Sequence, residues 1–187
     1  VLRFPYNGST GTQDKNADLV LGQTDFVSKP WGNTDDKFDQ PQAVAADNLG
    51  NIYVVDGINN RIQKFTAPLS TGMNGTTLTT NIAGPSGLSW DPLNRGLWVV
   101  DYLASSQATI RLIDSTSAAT IESETLGHRV GGSVGIDKGN DMLFAYSGYA
   151  QSLVRFNNVS GNNYVYQTDY FNSTGGYNQV STKRFGH

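Results

Sequence analysis

The chain has 187 residues, 37% of them hydrophobic, and a net charge of −3 from 13 basic and 16 acidic side chains. That length suffices for one domain with a substantial core. The scattered bases exclude the concentrated positive surface that nucleic acid demands, and no apolar run approaches the roughly 18 residues of a membrane-spanning helix. Cysteine is absent, which removes disulfides, thiolate metal sites and thiol catalysis together. The lack of a leader-like segment or an initiating Met leads us to expect a mature product or an excised piece.

Taken in chain order, residues 1–23 hold two β-type runs, Val1-Leu2-Arg3-Phe4 and the segment 18–23. Residues 24–40 form a long loop that carries Phe26, Trp31 and Phe38. A unit of about 45 residues then recurs three times. Its first copy reads Ala43-Val44-Ala45-Ala46-Asp47, a turn at Leu49-Gly50-Asn51, Ile52-Tyr53-Val54-Val55-Asp56, and Arg61-Ile62-Gln63-Lys64-Phe65. The second reads Gly87-Leu88-Ser89-Trp90-Asp91, a turn through Gly96, Leu97-Trp98-Val99-Val100-Asp101, and Thr109-Ile110-Arg111-Leu112. The third reads Ser133-Val134-Gly135-Ile136-Asp137, a turn at Lys138-Gly139-Asn140, Met142-Leu143-Phe144-Ala145-Tyr146, and Leu153-Val154-Arg155-Phe156.

Runs of four to six β-branched and aromatic residues bounded by Gly, Asn, Asp and Pro are antiparallel strands joined by tight turns. We label them a to d within a unit. Strand a is small-residue-rich and suits a crowded inner position, strand b is the most apolar, and strand c carries a basic residue at one recurring position (Arg3, Lys64, Arg111, Arg155). The d strands are predicted over 18–23, 77–83, 119–126 and 164–170. A three- or four-stranded unit cannot cover both its faces alone, so several must stack around an axis. The expected fold is therefore all-β, a propeller of four-stranded antiparallel blades with about four blades visible. Its parts are a blade remnant at 1–23, a linker loop at 24–40, blades at about 41–83, 84–127 and 128–171, and a tail at 172–187. Val1-Leu2-Arg3-Phe4 matches the strand c at 153–156, so the first blade needs two inner strands from the C-terminal tail, where residues 179–185 are strand-like, or from another molecule; a longer propeller cut short is the third reading.

Residues 41–65, with Asp47, Gly50, Asn51, Asp56, Asn60 and Arg61 in place, resemble the NHL repeat of extracellular-type β-propellers. The likeness fades in the next unit, which keeps Asp91, Gly96 and Asp101, and in the third, where Tyr146 stands for the aspartate. It implies a propeller with a ligand- or protein-contact role, and blade-knitting bonds among Asp56, Asn60, Arg61 and Asp101. It implies no reaction.

Asp47, Asp91 and Asp137 recur at the end of strand a. They suit turn capping through backbone N–H groups; a ring of carboxylates around an axial Ca²⁺ is the weaker reading. Asp35, Asp36 and Asp39, with Lys37 among them, read as a solvated loop. The two histidines, His128 and His187, make no metal site and no acid/base pair, and no cofactor is expected. Sequons at Asn7, Asn74, Asn158 and Asn172 are candidate glycan sites, the first three just after strand c. Sugars there would cover the face formed by the c–d and a–b turns. That leaves the b–c and d–a loops to contact a protein or glycan partner through Phe26, Trp31, Phe38, Tyr102, His128, Arg129 and Tyr149. Trp31 and its neighbours equally suit a local cap over the blades. The sequence thus points to a non-catalytic extracellular or cell-surface glycoprotein that binds or builds structure, self-assembling head to tail into a filament by strand exchange. The alternative is a lactonase-like propeller hydrolase or lyase with an axial divalent cation.

Overall fold

The computed structural model describes residues 1–91, 93, 95–104, 107–126, 134–136, 142–147, 152–158 and 164–170. All regular structure among them is β. The chain opens with β1 (Leu2–Arg3), β2 (Tyr6–Asn7), β3 (Thr12–Gln13) and β4 (Leu19–Val20); β1 pairs with β4, and β2 with β3 as a small hairpin. Three four-stranded antiparallel sheets follow, each in chain order. They are β5 (Pro41–Ala46), β6 (Ile52–Asp56), β7 (Arg61–Phe65) and β8 (Thr76–Thr79), then β9 (Gly87–Trp90), β10 (Leu97–Ala104), β11 (Gln107–Ile113) and β12 (Thr120–Leu126), then β13 (Val134–Ile136), β14 (Met142–Ser147), β15 (Ser152–Asn158) and β16 (Tyr164–Tyr170).

Side chains alternate across a strand, and here both faces find apolar cover. From β6, Tyr53 and Val55 join Ile62, Leu88, Leu97, Val99 and Ile113 in a core between the first two full blades. Val54 points the other way, to Leu19, Leu21, Phe38 and Phe65. Both faces of β6 are therefore packed, which is why its sequence is almost continuously apolar. The inner strand β9 lies against β5 of the preceding blade and β13 of the following one, so successive a strands neighbour each other as they do around a propeller axis. In every full blade the c–d pairing shifts by one residue, at Ile62/Gln63, Leu112/Ile113 and Arg155/Phe156. Such bulges add local twist to the outer edge.

Several expectations change in detail. The d strand of the remnant is only Leu19–Val20, and that of the first full blade is Thr76–Thr79. The basic residue of strand c does not recur at one position: Arg111 pairs with Val99 and Arg155 with Phe144, whereas Lys64 pairs with Tyr53, one residue further on. Tyr102 is in β10 opposite Ala108 rather than in a b–c loop, because strands b and c of that blade run on past the predicted ends. Phe38 belongs to the core at 6% exposure, packed edge-on against Phe65 with ring centroids 5.7 Å apart. It is not a surface contact. Gly22, at φ 82°, lies directly against the Phe38 ring, where a Cβ would overlap it.

Candidate functional site

The loop before β5 is held by a buried charge. Asp56 ends β6 fully buried, and Arg61, its partner across the hairpin, donates from Nε at 2.7 Å. The second Asp56 oxygen accepts from the Asp39 backbone N–H at 2.7 Å, and Asn59 Nδ2 donates to the first at 2.9 Å. The rest of the guanidinium points at the loop: Nη1 donates to the Asn33 carbonyl at 2.8 Å, and Nη2 to those of Thr34 and Lys37 at 3.0 Å. The fixed fork of Arg suits such a set of acceptors. The acidic loop is thus built around a cation supplied by strand c, with Asp36 turned to Thr34 Oγ1 at 2.7 Å and the Asp35 carbonyl taken by the Gly75 N–H. Asn60 does a different job from the one expected. Held at φ 49°, it accepts from the Gly84 N–H at 2.8 Å and so ties one blade's b–c turn to the next blade's d–a turn. Asn59 supplies the bond within the blade.

In the next blade the same need is met from elsewhere. Asp101 is buried, and residue 109, opposite it, is Thr. Arg111, two residues along and on the same face, ion-pairs with Asp101 and donates to the Asn81 carbonyl at 3.1 Å. Burial pushes the Asp101 carboxyl above its ordinary range, against the pull of Arg111.

The aspartates that end strand a are committed to their own blades. Asp47 Oδ1 accepts from the backbone of Leu49 and Asn51, both at 2.9 Å, and Oδ2 accepts from Asn51 Nδ2 at 2.7 Å and the Tyr53 hydroxyl at 3.1 Å. Partial burial raises its pKa, but the bonds from Asn51, Tyr53 and Leu49 outweigh that and hold the carboxyl below the usual range. Gly50 completes this turn at φ 82°, where other residues are strained. Asp91 takes Arg95 Nε at 2.9 Å and Trp98 Nε1 at 3.0 Å, and Arg95 reaches on to Glu122 at 2.6 Å. Arg95 and Trp98 were not anticipated as its partners, although both are local: Arg95 stands four residues on in the same a–b turn and Trp98 on the strand that follows it. Asp137 lies outside the described residues.

Of the contact candidates, Phe26 is exposed at 49% and Trp31 at 78%, with Val27 beside them at 85%. Asp25 Oδ1 accepts from the Val27 and Ser28 N–H groups, which fixes the turn that presents them. Tyr102 packs on Gly84 and donates its N–H to the Ala83 carbonyl at 2.6 Å. His128, Arg129, Tyr149, Asn172 and residues 179–185 lie outside the described residues. Asn7 and Asn74 are exposed. Asn7 sits within β2 rather than simply following strand c, its Oδ1 accepting from Ser9 and Thr10. Asn158 is the last residue of β15, opposite Tyr164, so it too is in the ladder and not in the turn.

Two clefts accompany these features. One, of about 430 Å³, separates Val1 and Leu2 from residues 41–44 of β5. The other, of about 370 Å³, opens between the a–b turn at Asp47 and the c–d turn at Ser115 of the next blade.

Comparison with known proteins agrees with this architecture. No curated protein matches the sequence at a significant level. A solved structure described as the nidogen/laminin complex is similar over 80% of this chain and 68% of its own, at a TM-score of 0.51 and 16% identity. At that identity the likeness speaks for the fold alone. The NHL repeat family matches residues 38–65. That stretch, from buried Phe38 through the Asp56–Arg61 pair to Phe65, is an NHL repeat set in a chain with a β-propeller fold.

Proposed function

We propose that this chain is a non-catalytic, extracellular, N-glycosylated binding module that assembles with further copies of itself by strand addition. The observation that carries the reading is the edge of β1. Val1 and Leu21 exchange backbone bonds at 2.8 and 2.9 Å, so the alternation of an antiparallel pair turns the N–H and C=O of Leu2 away from β4. Val1 and Leu2 line the 430 Å³ groove along β5, and among the described residues β1 pairs only with β4. Apolar side chains stand at the groove, Leu2 at 49% and Val44 at 52% exposure. An unpaired edge beside exposed apolar groups is a template for an incoming strand. Exposed Asn7 and Asn74 suit the glycan reading, and the solved complex of a structurally similar protein with laminin suits a protein-contact role.

Sedimentation velocity over a concentration series tests the assembly. Oligomers should grow with concentration in the full chain and be lost in Leu2→Pro, in Val44→Lys and in a chain lacking residues 172–187. A strictly monomeric full chain, or variants that assemble unchanged, refutes the reading. Peptide mass mapping of secreted protein decides whether Asn7, Asn74, Asn158 and Asn172 carry sugar.

A further inference from the structure

The 370 Å³ cleft between the a–b turn of one blade and the c–d turn of the next has features that the assembly reading does not use. Its size falls in the range of roughly 300–1,000 Å³ that holds small ligands. One wall is aromatic: Trp90 lies nearly parallel to Tyr53, 17° between planes and 5.9 Å between centroids. Tyr53 is wholly buried while Trp90 is only half-buried, so the indole is the ring a ligand can meet.

The polar wall divides into groups that are used up and groups that are not. All four bonds of Asp47 go to its own turn and Tyr53, so its carboxylate contributes charge rather than a contact. The Lys64 ammonium has three N–H donors. It gives one to the Ser115 carbonyl at 3.4 Å and rests 5.4 Å from the centre of the Tyr53 ring, which leaves two for a ligand. Ser115 and Thr116, each with a hydroxyl to offer, line the same opening.

Charge then selects the class of ligand. Asp114 accepts from the backbone of Ser117 and Thr116, which holds its carboxyl below the usual range, and Lys64 adds to that effect. One ammonium is thus set among two ionised carboxylates, Asp47 and Asp114. An anion meets net repulsion, and a cation meets Lys64 at the contact itself. A neutral molecule with an apolar ring face and several hydroxyls satisfies the indole, the ammonium and the two hydroxyls together.

The geometry points to a binding site for a neutral saccharide, its ring face on Trp90 and its hydroxyls on Lys64 Nζ, Ser115 and Thr116. The site lies on the side of the a–b and c–d turns, opposite the side to which the sequence assigned a partner; sugars on Asn7 and Asn74 would share that side, but neither residue lines the cleft, and the site does not depend on assembly by strand addition.

The test titrates the full-length chain with glucose, galactose, mannose and N-acetylglucosamine, and with glucuronate as the anionic probe, following tryptophan fluorescence and saturation-transfer NMR. At least one neutral sugar should bind saturably with a change in Trp emission, and glucuronate should bind more weakly than glucose. Lys64→Met and Thr116→Val should each weaken binding at least about fivefold, and Trp90→Ala should abolish both binding and the emission change. Thr116 is an exposed turn residue, so Thr116→Val keeps the proposal testable if Trp90→Ala disturbs the core. Absence of saturable binding by every neutral sugar, tighter binding of glucuronate than of glucose, or wild-type affinity in both Lys64→Met and Thr116→Val overturns it.

Discussion

Replacing Arg61 with Met strips the buried Asp56 carboxylate of its ionic partner and frees the carbonyls of Asn33, Thr34 and Lys37 at once. Both side chains are nearly sealed from water, Arg61 at 7% and Asp56 at 0% exposure. Breaking a buried pair from one side costs about 3–5 kcal/mol, because an uncompensated charge stays behind. Asp56 keeps its bonds from Asp39 and Asn59, and the freed carbonyls lie on a loop that water can reach, so the lower part of that range applies, about 3–4 kcal/mol. For a domain of this size each kcal/mol moves Tm by about 2–4 °C, which gives a fall of roughly 6–16 °C in thermal unfolding followed by circular dichroism. Hydrogen exchange should show early loss of protection at the Gly32 and Lys37 amides, which the loop's own bonds now shield. The double variant Asp56→Leu with Arg61→Met removes both charges and should recover most of the loss, since buried pairs are close to neutral against apolar replacements. A cost below about 1 kcal/mol for Arg61→Met, the level of an exposed pair, refutes the argument; so does a double variant no better than the single.

Further outcomes follow from other contacts. Gly22→Ala should displace Phe38 from its place on Phe65 and lower Tm strongly, whereas Arg3→Ala, which removes the solvent-exposed pair with Asp18, should leave Tm almost unchanged. Asn60→Ala loses the bond to Gly84 and leaves the Cβ at φ 49° without the polar side chain that supports that conformation, which costs about 1–2 kcal/mol; Asn60→Gly, which relieves the strain, should be the milder change in urea unfolding. The Asp47 carboxyl is held below its unfolded value of about 3.9. Its contribution is therefore complete above that value and is lost as pH falls through the lower folded one. Asp47→Ala should reduce stability at neutral pH and flatten the acid limb of the stability curve, and an unchanged acid limb counts against the turn geometry.

What the sequence determined by itself was the part governed by neighbours along the chain. The apolar β-type runs Ile52–Asp56 and Leu97-Trp98-Val99-Val100-Asp101, the Asp47 to Asn51 turn and the recurrence of the unit are local patterns, and local sterics and hydrogen bonding are enough to express them. Tertiary structure decided which partner each side chain meets across a gap. Phe38, an aromatic in a polar loop that suited packing and binding equally, goes to the core because the absent side chain of Gly22 and the facing Phe65 make room for it there. Asp101 finds Arg111 because period-two alternation places residues 109 and 111 on one face, while the residue opposite is an uncharged Thr. The cleft walled by Trp90, Lys64 and Thr116 exists only once one blade's turn stands beside the next blade's turn. Contacts between blades depend on how sheets stack, and stacking leaves no period in the sequence from which to read them.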